Sequence, residues 1–252
     1  MKILTCLLLI LMAPKIPGAQ EIMVSKVYPW EEVPIPEMLS GLEHTILKGS
    51  TTVFRELEVT AGALTGSNPS VRKKPGYEEM LMVKEGIMDV NLNGVRTTVT
   101  QGGIVLVCPE DVFILTNGRD DPTYYCHFRW KTVSLPPSGK ENPESAIYPW
   151  EGMTFIPSEK GGRRNILQRP TALLNELEIH TTLLKEGLTS HSAHTHADDE
   201  FILVKAGTVE ETIIEKSFTA GTGSLFFLSG KDNHGIRNAG KGECEYYAIR
   251  FK

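Results

Sequence analysis

The amino-acid sequence predicts an all-β fold built twice over, and three observations carry that reading. First, short runs rich in β-branched and aromatic residues are parted by glycines. They are Met80 to Lys84, Ile87 to Leu92, Val95 to Val99 and Gly103 to Cys108 in the first half, and Phe201 to Lys205, Thr208 to Ile214, Ser224 to Leu228 and Tyr246 to Phe251 in the second. Second, no stretch keeps the hydrophobic period of a long helix. Third, the chain repeats itself. Tyr28-Pro29-Trp30-Glu31 returns as Tyr148-Pro149-Trp150-Glu151, and Glu56-Leu57-Glu58-Val59 as Glu176-Leu177-Glu178-Ile179, both 120 residues on. Glu79, Gly86, Gly102 and Asn117 return as Glu200, Gly207, Gly223 and Asn238, 121 residues on. Each half is therefore expected to form a barrel or a sandwich.

In chain order, residues 1–19 read as a secretory signal, since Lys2 precedes the apolar run Ile3 to Met12 and the small residues Gly18 and Ala19 follow. The run is too short to span a bilayer. The mature chain is thus expected to be secreted or periplasmic, without a membrane span. Residues 20–134 make the first barrel, within which Asn93-Gly94 marks a tight hairpin. Residues 135–144, with Pro136, Pro137, Gly139 and Pro143, break any strand and form the linker. Residues 145–252 make the second barrel. The Tyr-Pro-Trp segment ahead of each barrel reads as simple packing, with capping of a barrel or crossing onto its neighbour as alternatives. Net charge is −5 with the two signs interspersed, so no face is built to track phosphates and nucleic acid is not an expected partner. Cys108, Cys126 and Cys244 lack CxxC spacing and are expected to be small buried side chains.

The chemistry is expected in residues 191–200, His-Ser-Ala-His-Thr-His-Ala-Asp-Asp-Glu. His194 and His196 stand two apart, so in an extended strand both imidazoles leave one face, and Glu200 keeps the same parity. Imidazole with carboxylate suits one divalent Mn, Fe, Ni or Zn ion, and such a site usually draws a further ligand from another strand. His234, in Lys-Asp-Asn-His-Gly-Ile-Arg-Asn, is the candidate. The pattern His194-x-His196-x3-Glu200-x6-Gly207, then Gly223 and His234-x3-Asn238, resembles the two signature motifs of the cupin superfamily. It departs from them in having Gly187 one residue early and Ser229 in place of a proline, both at turn positions. The resemblance implies a two-barrel cupin, or bicupin, of tandem jelly-roll barrels, with His194, His196, Glu200 and His234 holding a metal in the mouth of the second. Transferred by 121 residues, the ligand positions of the first barrel read Lys73, Pro75, Glu79 and Phe113, so that barrel is expected to be metal-free, with Glu79 paired to Lys73.

Three imidazoles and a carboxylate leave open positions on a five- or six-coordinate ion, which is the mark of a catalytic site. Glu200, His180 and Arg250 are the candidate catalytic residues. His180 is a candidate general base sharing a strand face with Glu178, and Arg250 is placed to hold an anion. Arg163, Arg164 and His191 are expected in loops near the mouth, and Asn238 is expected to tie down its own turn. The expected function is that of a secreted mononuclear metal-dependent bicupin enzyme acting on a small polar carboxylate- or carbonyl-bearing molecule. Isomerase, lyase, hydrolase and dioxygenase chemistries stay open, as does a homodimer. The alternatives are a non-catalytic bicupin that binds metal and a small ligand, and an enzyme resembling ureidoglycine aminohydrolases, from which this ligand set departs.

Overall fold

A computed structural model of the protein describes residues 21–33, 43–66, 69–72, 75–135 and 143–252. The expected signal at 1–19, Lys73, and residues 136–142 of the expected linker lie outside the described residues. The first half carries β1 (Lys26–Tyr28), β2 (Glu43–Gly49), β3 (Phe54–Leu64), β4 (Ser70–Arg72), β5 (Glu78–Glu85), β6 (Ile87–Leu92), β7 (Val95–Thr100), β8 (Ile104–Val107), β9 (Phe113–Asn117) and β10 (Thr123–Thr132). The second carries β11 (Ala146–Tyr148), β12 (Ile156–Ser158), β13 (Gly161–Arg169), β14 (Leu177–Leu184), β15 (Asp199–Ala206), β16 (Thr208–Ile213), β17 (Lys216–Gly221), β18 (Leu225–Leu228), β19 (His234–Asn238) and β20 (Cys244–Phe251). Among the described residues the only helical elements are single 3-10 turns at Trp30–Glu32 and Trp150–Gly152.

Four antiparallel sheets build two jelly-roll barrels. In the first, β11-β8-β5-β10-β3-β2 pairs its inner face with β4-β9-β6-β7; in the second, β1-β18-β15-β20-β14-β13-β12 does so with β17-β16-β19. The parity of side chains along the long strands decides which core each residue joins. In β5, Leu81 and Val83 fill the first barrel while Met80 and Met82 face the neighbouring barrel. In β15, Ile202 and Val204 fill the second barrel while Phe201 and Leu203 face the first. Strands buried on both faces read as unbroken apolar runs, which is why alternation is weak there. Between the barrels, Phe54 and Trp130 stack edge-on against Phe251 at 5.0 and 5.7 Å between ring centroids. Beside them the buried Glu78 carboxylate accepts hydrogen bonds from Thr171 Oγ1, the amides of Ala172 and Leu173 and Trp130 Nε1. Four donors compensate that burial.

The Tyr-Pro-Trp segments cross over. β1 pairs with β18 of the second half, and β11 pairs with β8 of the first. Behind each strand, a tryptophan docks on a glycine of the opposite barrel. A Cβ on Gly102 would lie 2.7 Å from Trp150, and one on Gly223 would lie 2.7 Å from Trp30, and both glycines hold φ +92. The expected simple packing is therefore replaced by a reciprocal exchange. The sheets interleave across the boundaries drawn from sequence.

The Asn93-Gly94 hairpin forms with both residues at positive φ, +50 and +89, as a type I′ turn requires. Its counterpart in the second half, Ile214-Glu215, adopts the same region at +44 and +67 without a glycine. Cys126 and Cys244 are buried, and all three described cysteines are free. Asn238 ties its own turn, donating to the carbonyls of Leu184 and Gly242 and accepting from Gly240 N–H. No helix among the described residues is long and apolar enough to cross a membrane.

Candidate metal centre

His194 and His196 do not lie in a regular strand, as their spacing suggested, but in an extended segment just before β15. The segment is held open by backbone bonds alone: His194 and His234 exchange both N–H···O bonds at 3.0 Å, and His196 N–H donates to Gly230 O at 2.9 Å. That bridge sets the third imidazole beside the first two. One ligand nitrogen from each of His194, His196 and His234 lies within 4.8 Å of the others. Glu200, at the start of β15, brings its Oε2 to 3.0 Å from His196 Nε2 and 3.5 Å from His234 Nε2.

The donor chemistry fits a cation. His234 Nδ1 lies 2.8 Å from Asp232 O, an atom that only accepts, so Nδ1 carries the proton and Nε2 is the nitrogen left to bind. His234 Nε2 and His196 Nδ1 are buried without a hydrogen-bond partner. Burial alone pushes the Glu200 carboxyl up, but the nearby His196 and His234 imidazoles outweigh this and hold it at about 2. An ionised carboxylate against three imidazoles suits a transition metal, whose identity the ligands leave open.

The triad opens on a cavity of about 220 Å³. His180 and Arg250 line it with Glu200, and so does the exposed His191. His180, on β14, has its imidazole pushed down by burial, against the pull of Glu178, whose Oε1 lies 3.7 Å from Nδ1. Arg250, on β20, gives Nη2 to Asp198 at 2.8 Å and lies 3.7 Å from Glu178, while its buried Nε has no partner. Arg163 and Arg164 lie in β13 and not in a loop; Arg164 pairs with Glu245 at 2.7 Å and stacks over Trp150. Among the lining residues that the sequence did not single out are Tyr246 and Glu211. Glu211 sits at an inward position of β16 between the buried Val209 and Ile213, so a charged residue breaking the alternation was the available signal. Burial pushes its carboxyl up to about 8. A wider groove of about 550 Å³ lies over β6, β7 and β9, where Thr98 donates to Asp89.

The equivalent place in the first barrel is filled. Glu79, whose expected partner Lys73 lies outside the described residues, lies 2.8 Å from His127 Nε2, out of line for a hydrogen bond, and His127 Nδ1 lies 2.9 Å from Glu43. Arg129 closes the group with a 2.6 Å bond to Glu43. Phe113, at the position of His234, packs its ring edge-on to His127.

Residues 180–250 match the family model described as the cupin domain. No curated protein sequence matches the chain. Among solved structures, a candidate glyoxylate-induced protein from Pseudomonas aeruginosa superposes with a TM-score of 0.70 at 15% identity, over 96% of this chain and 93% of that one. Protein Ylba from E. coli gives 0.63 at 13% identity, over 78% of this chain and 77% of its own. A salicylate 1,2-dioxygenase from Pseudoaminobacter salicylatoxidans, in adducts with gentisate, gives 0.66 at 11% identity, over 90% of this chain and 81% of its own. The cupin-domain match thus lies over the histidine triad in the second barrel, and the chain as a whole shares the two-barrel fold of these solved structures.

Proposed function

We propose that the second barrel is the site of a mononuclear metal-dependent enzyme acting on a small polar molecule that bears a carboxylate or carbonyl. The observation that carries this reading is the triad itself, three imidazoles turned toward one point at the wall of a cavity with room for a ligand. A transition metal supplies Lewis acidity to such a group and to water, or, as iron, redox chemistry. The chain's own residues do the rest. His234 is held in one tautomer by Asp232 O, so its Nε2 lone pair is preset. Glu200 serves as fourth ligand and offsets charge. Arg250, though partly neutralised by Asp198, keeps a buried Nε free to receive an anionic end. His180, kept neutral by burial, is the base in the lining of the same cavity.

Isomerase, lyase and hydrolase chemistry compete with oxygenation, which draws on the fold neighbour named as a dioxygenase. Elemental analysis of purified protein, followed by turnover and oxygen-uptake assays on small hydroxy, keto and uronic acids, separates them. Fe with oxygen uptake selects the dioxygenase, and Mn, Ni or Zn with anaerobic turnover selects the others. If no metal form turns over any acid while one still raises the melting temperature, the protein is a binder instead. Residues 1–19 direct export in this reading, and an intact Met1 on protein recovered outside the cytoplasm would refute it.

A further inference from the structure

Glu211 is buried at 1% exposure, and neither carboxyl oxygen has a hydrogen-bond partner. It lines the cavity beside the triad, and β16 sets it across from Ile236, one inward step along from the pair Ile213 and His234. The fold does not ask for a carboxyl there. The repeat places Val90 at the same position of the first barrel, buried in an apolar core. A carboxyl stripped of water without a donor is unfavourable by itself. The Gly235 amide offsets part of that burial, and a group in the cavity that donates to or accepts from the carboxyl would offset more.

We propose that Glu211 is the specificity-determining residue of this site, hydrogen-bonding a hydroxyl on a small hydroxy acid whose carboxylate end faces the triad and Arg250. This rests on the reading of the cavity as the substrate site. The volume, about 220 Å³, suits an acid of a few carbons. A protonated carboxyl offers a donor and an acceptor and an ionised one offers acceptors, so either form can bond a hydroxyl. Acids of the same size without the hydroxyl would leave Glu211 unbonded, and such mismatches are strongly rejected.

Calorimetry of the purified chain, with its metal content measured, uses two pairs that differ by one hydroxyl: lactate against propionate, and malate against succinate. The wild type is expected to prefer a hydroxy acid by about 10-fold or more, and Glu211→Met to bind both members of the pair alike. No binding of any acid by the wild type, no preference, or a preference that survives in Glu211→Met overturns the assignment. Without ligand, Glu211→Met should melt several degrees higher than the wild type, because an apolar side chain replaces an unbonded carboxyl. A lower melting temperature, or failure to fold, would show that the carboxyl holds the barrel together and overturns it too. A metal-loaded chain with no hydroxyl preference sinks the Glu211 assignment alone. A chain without metal sinks the enzyme reading, and a preference in that chain lost in Glu211→Met upholds Glu211 without it.

Discussion

The two barrels share one lattice and differ in what fills its centre. In the first, Arg129 of β10 pairs across to Glu79 and Glu58; in the second, Arg250 of β20 pairs across to Glu200 and Glu178 in the same register. At the centre, His127 and Phe113 of the first barrel become Ala248 and His234 of the second. The imidazole and the phenyl ring plug the first interior, and Glu43 and Glu79 pin the plug. In the second, the methyl group of Ala248 leaves room, and the triad and Glu211 turn into that room. Buried polar atoms without a partner occur in both barrels, His127 Nε2 and Arg129 Nε in the first and His234 Nε2, His196 Nδ1, Glu211 and Arg250 Nε in the second, but those of the second belong to residues that line a cavity. The difference lies in side-chain volume at two positions rather than in the fold.

The sharpest way to break the contrast is metal content. The wild type should carry one equivalent and the double variant His194→Ala, His196→Ala none, while Glu79→Gln leaves the count unchanged; two equivalents in the wild type would place a second site in the first barrel. At the same centre, Glu200→Gln should lower turnover far more than metal affinity, because the carboxylate's charge tunes the acidity of the bound ion. Comparable losses in both would make Glu200 a ligand and nothing more.

In the first barrel, His127→Ala removes a fully buried ring and leaves a cavity beside Glu79 and Phe113, with an expected loss of about 3 kcal/mol. That corresponds to a melting temperature lower by about 10 °C. An unchanged melt would show the plug to be incidental. The converse variant, Ala248→His, should close the second cavity and abolish ligand-induced stabilisation. The exchange of strands is probed by Gly223→Ala, whose Cβ meets Trp30 at 2.7 Å in a left-handed backbone. The expected loss is about 2 kcal/mol, with a similar loss for Gly102→Ala, and a neutral melt in either would mean that the tryptophan moves freely. The smallest effect should be a gain. Replacing Ile214-Glu215 by Asn-Gly, the pair its counterpart carries, relieves two left-handed residues and should add about 1 kcal/mol.

Much of this was legible from local pattern. The all-β architecture, the two copies, the Asn93-Gly94 hairpin and the convergence of His194, His196, Glu200 and His234 follow from runs, turns and spacings only a few residues long, read alongside the repeat. The reading went astray where one residue's partner lies far along the chain. Arg164, expected in a loop, lies in β13 and finds Glu245, because sheet register and not neighbourhood in sequence decides who meets whom. β1 pairs with β18 about two hundred residues away, a choice no local propensity records.

The sequence by itself determined that there are two barrels and which imidazoles of the second stand close enough to gather, since period-two strands, turn glycines and imidazole spacing are properties of short segments. The tertiary structure alone decided that the barrels trade strands, that His127 fills the first interior, and that Glu211 is left unbonded in the second. Those outcomes depend on volume and on hydrogen-bond partners brought together only when both sheets of a barrel close on one another.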